Sequence, residues 1–234
     1  MIVKKILKIL LLLVLVVVLA LGGLIGWLSA TEYRPASIEA LAPLSDAAAD
    51  KLGEGAELNN LCWNIGYAGL GAGSDFIMDG GENMRAADKA AVQNYLAGIG
   101  ETVKRGDYDL VLLQEVDTNS SRTYKINEAA ALASGDAYHA LNYSCPWVPN
   151  PNTLVIEPNG RVNSALMTIS NYAVDSAERQ SLPCPFTWPL RIANLKRCLL
   201  VSYLPIEGSD SQLVLVNLHL EAYDSGEGDR KSVV

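Results

Sequence analysis

Charge is nearly absent from the first part of the chain, and acidic charge is wholly absent from it. No acidic residue precedes Glu32, and three basic residues precede it, Lys4, Lys5 and Lys8. The remaining 15 basic and 26 acidic side chains give the rest of the chain a net charge of −11. Such an acidic body excludes broad capture of nucleic acid by a basic surface. A phosphate substrate held through a bound metal is still possible.

Several common site motifs are also missing. Cys62, Cys145, Cys184 and Cys198 lack the C-x-x-C spacing of zinc and redox sites. We expect Cys62, inside a predicted strand, to be a core residue, while a disulfide among the other three stays open. The glycines of residues 66–81 lack a following Gly-Lys-Ser/Thr, and no Gly-x-Ser-x-Gly hydrolase motif occurs. The glycine segment is therefore expected to be a flexible loop.

The uncharged N-terminal run predicts a membrane span. Residues 9–28 are twenty uncharged, mostly apolar residues, enough for a helix to cross the hydrocarbon core. The preceding lysines place the N-terminus in the cytoplasm, and Trp27 suits the interface. We expect residues 1–29 to be a cytoplasmic stub and single-pass signal anchor that contacts the bilayer through residues 6–28. The alternative is a cleaved signal peptide, which Leu28 disfavours because cleavage requires a small residue there.

Residues 30–57 resemble a linker in composition, because proline, glycine, alanine and acidic residues dominate them. A short helix over residues 45–52 is the one element expected there. The linker would space the following body, residues 58–228, from the bilayer.

The body alternates predicted strands and helices. Helices are expected over residues 84–105, capped by Asn83, and over residues 124–133. Strands are predicted at 58–65, 108–116, 137–144, 162–170, 173–182, 198–203 and 212–220. This order predicts an α/β domain of two packed sheets flanked by helices.

Polar residues stand where three of these strands end. Asn64, Glu115 and His219 each follow an apolar run. Sites in α/β sheets form beyond such strand ends, and Mg²⁺ binds one or two carboxylates plus water. An asparagine there is commonly a turn residue and a histidine commonly a core residue. Glu115 is harder to explain structurally, because a carboxylate after four apolar residues must be paired, ligated or solvated.

Four segments together resemble motifs of the endonuclease/exonuclease/phosphatase superfamily, the deoxyribonuclease-like fold. They match in order and spacing, with Asn171 in place of the usual basic residue. The segments are Leu61-Cys62-Trp63-Asn64-Ile65, Leu112-Leu113-Gln114-Glu115-Val116-Asp117, Asn163-Ser164-Ala165-Leu166-Met167-Thr168-Ile169-Ser170-Asn171-Tyr172 and Val216-Asn217-Leu218-His219-Leu220.

The resemblance implies a four-layer sandwich of two mixed β-sheets between helices, and hydrolysis of phosphate esters with Mg²⁺ or Mn²⁺. It implies that Glu115 ligates the metal, that Asn64 assists the ligand or holds a metal-bound water, and that His219 polarises a phosphate oxygen. The implied substrate contacts are Arg122, Tyr124, Arg161 and Asn163. For Arg122 and Tyr124 a solvated loop is the alternative interpretation.

The second half of the family pattern is missing. Neither Gly-Asp-x-Asn nor Ser-Asp-His occurs, and 15 residues follow His219. Residues 229–234 are what GAT CGG AAG AGC GTC GTG encodes, which resembles read-through into a sequencing adapter. We therefore expect an N-terminal part of a catalytic domain, inactive by itself, with an artefactual end.

The combined expectation is a membrane-anchored, extracytoplasmic phosphoesterase. Lipid head groups, nucleic acid and small phosphoesters are all open as substrates, and no protein partner is predicted. The alternatives are a non-catalytic cell-surface domain that keeps the fold, and a nuclease-like toxin or scavenging enzyme released from the membrane.

Overall fold

The first element of the chain is an exposed apolar helix. The computed structural model describes residues 2–48, 50–77, 80–150 and 157–220. Helix α1 (Ile2–Ala30) has 29 residues, none of them buried, and an 18-residue window with mean hydropathy 3.2. At about 1.5 Å rise per residue such a helix exceeds the hydrocarbon thickness of a bilayer. Within the described ranges it is the one helix long and apolar enough to cross a membrane.

A five-stranded mixed sheet forms the first layer of strands. Its order is β2 (Ser45–Asp46), β5 (Asp136–Val148), β6 (Gly160–Ser170), β4 (Leu110–Asp117) and β3 (Asn60–Asn64). β3 and β4 are parallel, because the chain returns between them through helix α2 (Lys89–Arg105). The other pairs are antiparallel. The parallel pair brings the carboxyl ends of β3 and β4 to the same edge.

A four-stranded sheet forms the second layer. Its order is β1 (Ile38–Ala40), β7 (Ser176–Ser181), β8 (Cys198–Pro205) and β9 (Gln212–Leu218), and every described pair is antiparallel. Only the first sheet is therefore mixed among the described strands, whereas the family resemblance implies two mixed sheets.

The apolar residues form two clusters. One joins Val92 and Ile99 of α2 to the first sheet, and the other joins the two sheets through residues such as Leu166 and Leu200. The helix, the first sheet and the second sheet are thus three stacked layers, which confirms a mixed α/β fold with two sheets. On β9, Val214 and Val216 face away from the second cluster and are 52% and 38% exposed. The fourth layer of the expected sandwich stays a prediction.

The expected linker is partly folded. β1 and β2 lie within residues 30–57 and pair with β7 and β5. The short helix predicted over residues 45–52 is therefore wrong. The carboxylate of Asp136 accepts hydrogen bonds from the amides of Ala47 (3.0 Å) and Ala48 (2.9 Å), which holds this segment against the first sheet. Leu52 is buried and bridges Ile206.

Both predicted helices of the body are shorter than expected. α2 begins at Lys89, because the Asp88 carboxylate caps it by accepting from the Ala91 amide at 2.7 Å. Asn83, the predicted cap, bonds Asp75 instead. The helix predicted over residues 124–133 is reduced to α3 (Glu128–Leu132). Tyr124 has a φ of 55°, in the left-handed region that helices exclude.

All four cysteines are free thiols. Cys145 and Cys198 are buried, whereas Cys62 is exposed, so its assignment to the core was wrong. Cys62 lies on the same face of β3 as Asn60 and Asn64, and all three are exposed, whereas Leu61 and Trp63 pack from the opposite face against the cluster of α2.

Two sequence predictions concern residues 221–234, at the end of the chain. The artefact proposed for residues 229–234 and the last residues of the body, 221–228, lie outside the described residues.

Candidate functional site

The position of Glu115 depends on a β-bulge in β4. The pairing of β4 with β6 skips between Leu113 and Val116, so Gln114 and Glu115 oppose a single residue of β6. Glu115 has a φ of 57°, a left-handed conformation that costs about 1–3 kcal/mol in a non-glycine residue. The bulge turns the Glu115 side chain out of the strand alternation, where it is 28% exposed. Such strain commonly marks functional positions.

Asn64 stands beside Glu115 at the end of the neighbouring strand. β3 and β4 are parallel and in register, with Asn64 opposite Gln114. Asn64 Nδ2 donates a hydrogen bond to Glu115 Oε1 at 3.0 Å, and its Oδ1 accepts from the Gly66 amide at 3.0 Å. The amide group therefore orients the carboxylate while it also closes the turn after β3.

His219 reaches the same carboxylate from the second sheet. It follows the last residue of β9, and its Nε2 lies 3.9 Å from Glu115 Oε1. Two residues earlier, Asn217 accepts from Gln114 Nε2 at 2.8 Å and donates to the carbonyl of Leu113 at 3.0 Å. These buried bonds tie the end of β9 to β4, which is why His219 and Glu115 meet.

A cavity of about 280 Å³ connects these residues with a basic side chain. Glu115, His219, Arg122 and Tyr67 line it, together with side chains of β5 and β6. It offers a carboxylate, an imidazole and a guanidinium to one bound molecule. Cavities with a few convergent polar groups are the usual form of a small-molecule site.

The guanidinium of Arg122 is held rigidly. Its Nε and Nη2 donate to the two carboxylate oxygens of Asp117, each at 2.9 Å, and its Cζ lies 3.6 Å from the centre of the Tyr67 ring. Burial lowers the pKa of Arg122, but the charge of Asp117 outweighs it and holds the pKa above its usual value. The cation is therefore permanent and fixed in orientation.

The other predicted substrate contacts lie elsewhere. The Tyr124 hydroxyl donates to the carbonyls of Ala86 (3.1 Å) and Ala87 (3.2 Å). Asn163 accepts from the Ser144 hydroxyl at 2.8 Å, and Arg161 is exposed. Among the described residues, the lining of the 280 Å³ cavity includes Arg122 but not these three.

Sequence reasoning missed the residues that support Arg122. Asp117 is wholly buried, and Tyr67 comes from the glycine-rich segment that was expected to be a flexible loop. Glu128 Oε2 accepts from the Asp117 amide at 2.8 Å. Burial and the neighbouring Asp117 charge raise the pKa of Glu128 to about 9, so it is protonated at neutral pH. In the sequence, the one signal of this support for Arg122 was Asp117, an acidic residue two positions after Glu115.

Among the described residues that line the 280 Å³ cavity, Glu115 is the one carboxylate. Among the described residues no group of three or more His, Cys, Asp or Glu side chains could hold a metal. Mg²⁺ does not require one, because it commonly keeps several waters and takes one or two carboxylates. The strained, partly exposed Glu115 therefore fits a magnesium ion that is held mostly by water and substrate oxygens.

Two further cavities adjoin the site. One, of about 750 Å³, lies between α2 and the end of β3, with Trp63 and Tyr95 in its wall and Glu115 at its boundary. The other, of about 320 Å³, shares Arg197 with the site cavity.

No protein-family model matches the chain, and no curated protein matches its sequence. The family resemblance therefore depends on the four sequence motifs alone.

Proposed function

We propose that the chain is a metal-dependent phosphoesterase of the endonuclease/exonuclease/phosphatase type. The observation that carries the proposal is the convergence of Asn64, Glu115 and His219 from three strands of two sheets. Arg122 lines the same cavity as Glu115 and His219. The carboxylate can bind a hard cation, and the facing groups can donate hydrogen bonds to anionic oxygens. This combination suits the hydrolysis of a phosphate ester.

Each residue has a separate role in this proposal. Glu115 holds Mg²⁺, which supplies charge neutralisation when it is bound. Asn64 keeps the carboxylate in place through its 3.0 Å hydrogen bond. His219 donates an N–H to a nonbridging phosphate oxygen, and the fixed cation of Arg122 stabilises the charge that develops on the phosphate. These roles do not select among lipid, nucleic acid and small-molecule esters.

The decisive experiment compares Glu115→Gln with Glu207→Gln, an exposed control on another part of the surface. Mn²⁺ binding, followed by electron paramagnetic resonance on the purified full chain, should be lost in Glu115→Gln and retained in Glu207→Gln. Hydrolysis of bis(p-nitrophenyl) phosphate by a chain that also carries the Gly-Asp-x-Asn and Ser-Asp-His motifs provides the second measurement. Equal metal binding by the wild type and Glu115→Gln would remove Glu115 from the proposed site and favour a non-catalytic domain.

We further propose that α1 anchors the protein in a membrane with the body on the extracytoplasmic side. The support is the length and mean hydropathy of α1 and the lysines before its apolar run. Flotation of the full chain with vesicles after alkaline carbonate treatment tests the anchor. Protection of the body from protease in sealed right-side-out vesicles would contradict the orientation.

A further inference from the structure

The end of α1 contacts a loop of the body. Trp188 Nε1 donates to Ser29 Oγ at 3.1 Å, one residue before the helix ends at Ala30. Arg191 Nε and Nη2 donate to the two carboxylate oxygens of Glu32 at 2.9 and 3.2 Å. These contacts fix the loop that carries Trp188 at the level where the apolar helix ends.

Two large apolar side chains of this loop are exposed. Trp188 is 59% exposed, and Leu190, the first residue of a short 3₁₀ helix (Leu190–Ala193), is 66% exposed. Isolated exposed apolar residues need no explanation, but these two lie beside the end of a candidate membrane span. Tryptophan prefers the membrane–water interface, because its apolar ring can face the lipid while its N–H forms a hydrogen bond.

A basic cavity lies next to the same contact. Its volume is about 320 Å³, and its charged lining residues are Arg34, Arg191, Lys196, Arg197 and Glu32. Four cations against one carboxylate give a local net charge of +3 in a body that is otherwise strongly acidic.

Glu32 organises these cations. Its side chain is 1% exposed and lies within 3.4 Å of Lys196 Nζ as well as bonding Arg34 and Arg191. The hydrogen bond from Arg191 is the largest of several effects that lower the pKa of Glu32 to about 2. The carboxylate is therefore ionised at physiological pH and holds Arg34, Arg191 and Lys196 together, and the cavity keeps an excess of three positive charges.

We propose that Trp188, Leu190 and this basic cavity form a membrane-facing patch that binds the surface of a bilayer containing anionic phospholipids. Trp188 and Leu190 enter the interface, and the cations bind lipid phosphates. Charge complementarity and direct continuity with α1 support this patch, which rests on the proposed membrane anchor. The patch would seat the body on the bilayer rather than leave it free at the end of a linker.

Depth-dependent quenching of tryptophan fluorescence tests the apolar part of the patch. The full chain is reconstituted in vesicles that contain brominated phosphatidylcholine and phosphatidylglycerol, on a Trp27→Phe background that removes the tryptophan of α1. Adding Trp188→Phe should remove most of the remaining quenching. Adding Trp147→Phe, which changes a partly buried tryptophan of β5, is the matched control and should leave the quenching unchanged. Equal quenching in both double variants would overturn the proposal.

The lipid composition tests the basic part. Quenching of Trp188 should increase with the fraction of phosphatidylglycerol, and Arg34→Gln should raise the fraction needed for the half-maximal effect. Lys51→Gln, an exposed lysine outside the patch, should not. Quenching that does not depend on the fraction of phosphatidylglycerol but decreases when inorganic phosphate is added would show a site for soluble anions and overturn the proposal.

Failure of the patch and failure of the anchor give different results. A chain that does not float with vesicles after carbonate treatment refutes the anchor, and the patch with it. A chain that floats but whose Trp188 escapes quenching keeps the anchor and loses the patch.

Discussion

Gln114 and Asn217 join the two sheets through one buried hydrogen bond. Gln114 Nε2 donates to Asn217 Oδ1 at 2.8 Å, and the two residues are 6% and 1% exposed. Both residues lie close in sequence to a candidate site residue. Glu115 follows Gln114 directly, and His219 lies two positions after Asn217. The bond therefore sets the separation of the carboxylate and the imidazole.

Replacing Asn217 by Ala should destabilise the protein by about 2–4 kcal/mol, because it leaves buried groups at Gln114, Leu113 and Met167 without their partner. Denaturant unfolding in detergent measures the loss. Gln212→Ala, at the exposed start of the same strand, should change stability by less than about 0.5 kcal/mol. Equal effects of the two substitutions would mean that the buried bond contributes nothing.

Glu128 should make stability fall as pH rises. Its pKa of about 9 in the folded state lies above the ordinary value of 4.5, so the folded protein keeps a proton that the unfolded chain releases. The contribution of Glu128 to the free energy of unfolding should therefore be largest below about pH 4.5. It should decrease as the pH rises from there to about 9, by at most about 1.4 kcal/mol per pH unit. Thermal unfolding from pH 5 to 9 should show a flatter profile for Glu128→Gln than for the wild type. Parallel profiles would contradict a protonated Glu128.

The Asp117–Arg122 pair should be costly to break from one side. Asp117→Ala leaves a largely buried guanidinium without its carboxylate, and the expected loss is about 3–5 kcal/mol. The double variant Asp117→Ala, Arg122→Met should be more stable than the single variant, because no unpaired charge remains. Unfolding of both variants measures this difference. A double variant that is less stable than the single one would show that the pair is not the source of the cost.

His219 should affect turnover much more than stability. In a chain that also carries the Gly-Asp-x-Asn and Ser-Asp-His motifs, His219→Ala is expected to lower hydrolysis of a phosphodiester by about 100- to 1,000-fold, through the loss of one donor to the charge that develops on the phosphate. The rate of hydrolysis and the unfolding curve are measured on the same preparation. An unchanged rate with lowered stability would assign His219 to the core.

Asp136 should control the attachment of the segment around β2. Its carboxylate accepts from the amides of Ala47, Ala48 and Val174, at 2.8–3.0 Å. Asp136→Ala should therefore increase cleavage at Lys51 by trypsin, because the segment loses its anchoring hydrogen bonds. Asp46→Ala, in the neighbouring strand, is the control and should cleave at nearly the wild-type rate. Unchanged cleavage in Asp136→Ala would show that strand pairing alone holds the segment.

Local patterns in the sequence were enough to predict much of the secondary structure. The apolar span, the strand of four apolar residues before Gln114, and the face of α2 that includes Val92 and Ile99 all follow from periodicity and burial. The positions of Asn64 and His219 at strand ends were also visible, whereas Glu115 lies two residues before the end of β4. Such features depend on neighbours a few residues away, which a linear pattern records.

The tertiary structure alone decided the rest, because those features depend on contacts between distant residues. The amides of residues 47 and 48 bond a carboxylate almost 90 positions later, so no local pattern could show that the expected linker folds onto the sheet. The bulge at Glu115 is visible only in the pairing with β6. The contact of Trp188 with Ser29 joins residues 159 positions apart. The sequence by itself determined which side chains were available at the strand ends and beside the apolar helix, and packing of the two sheets decided which of them meet.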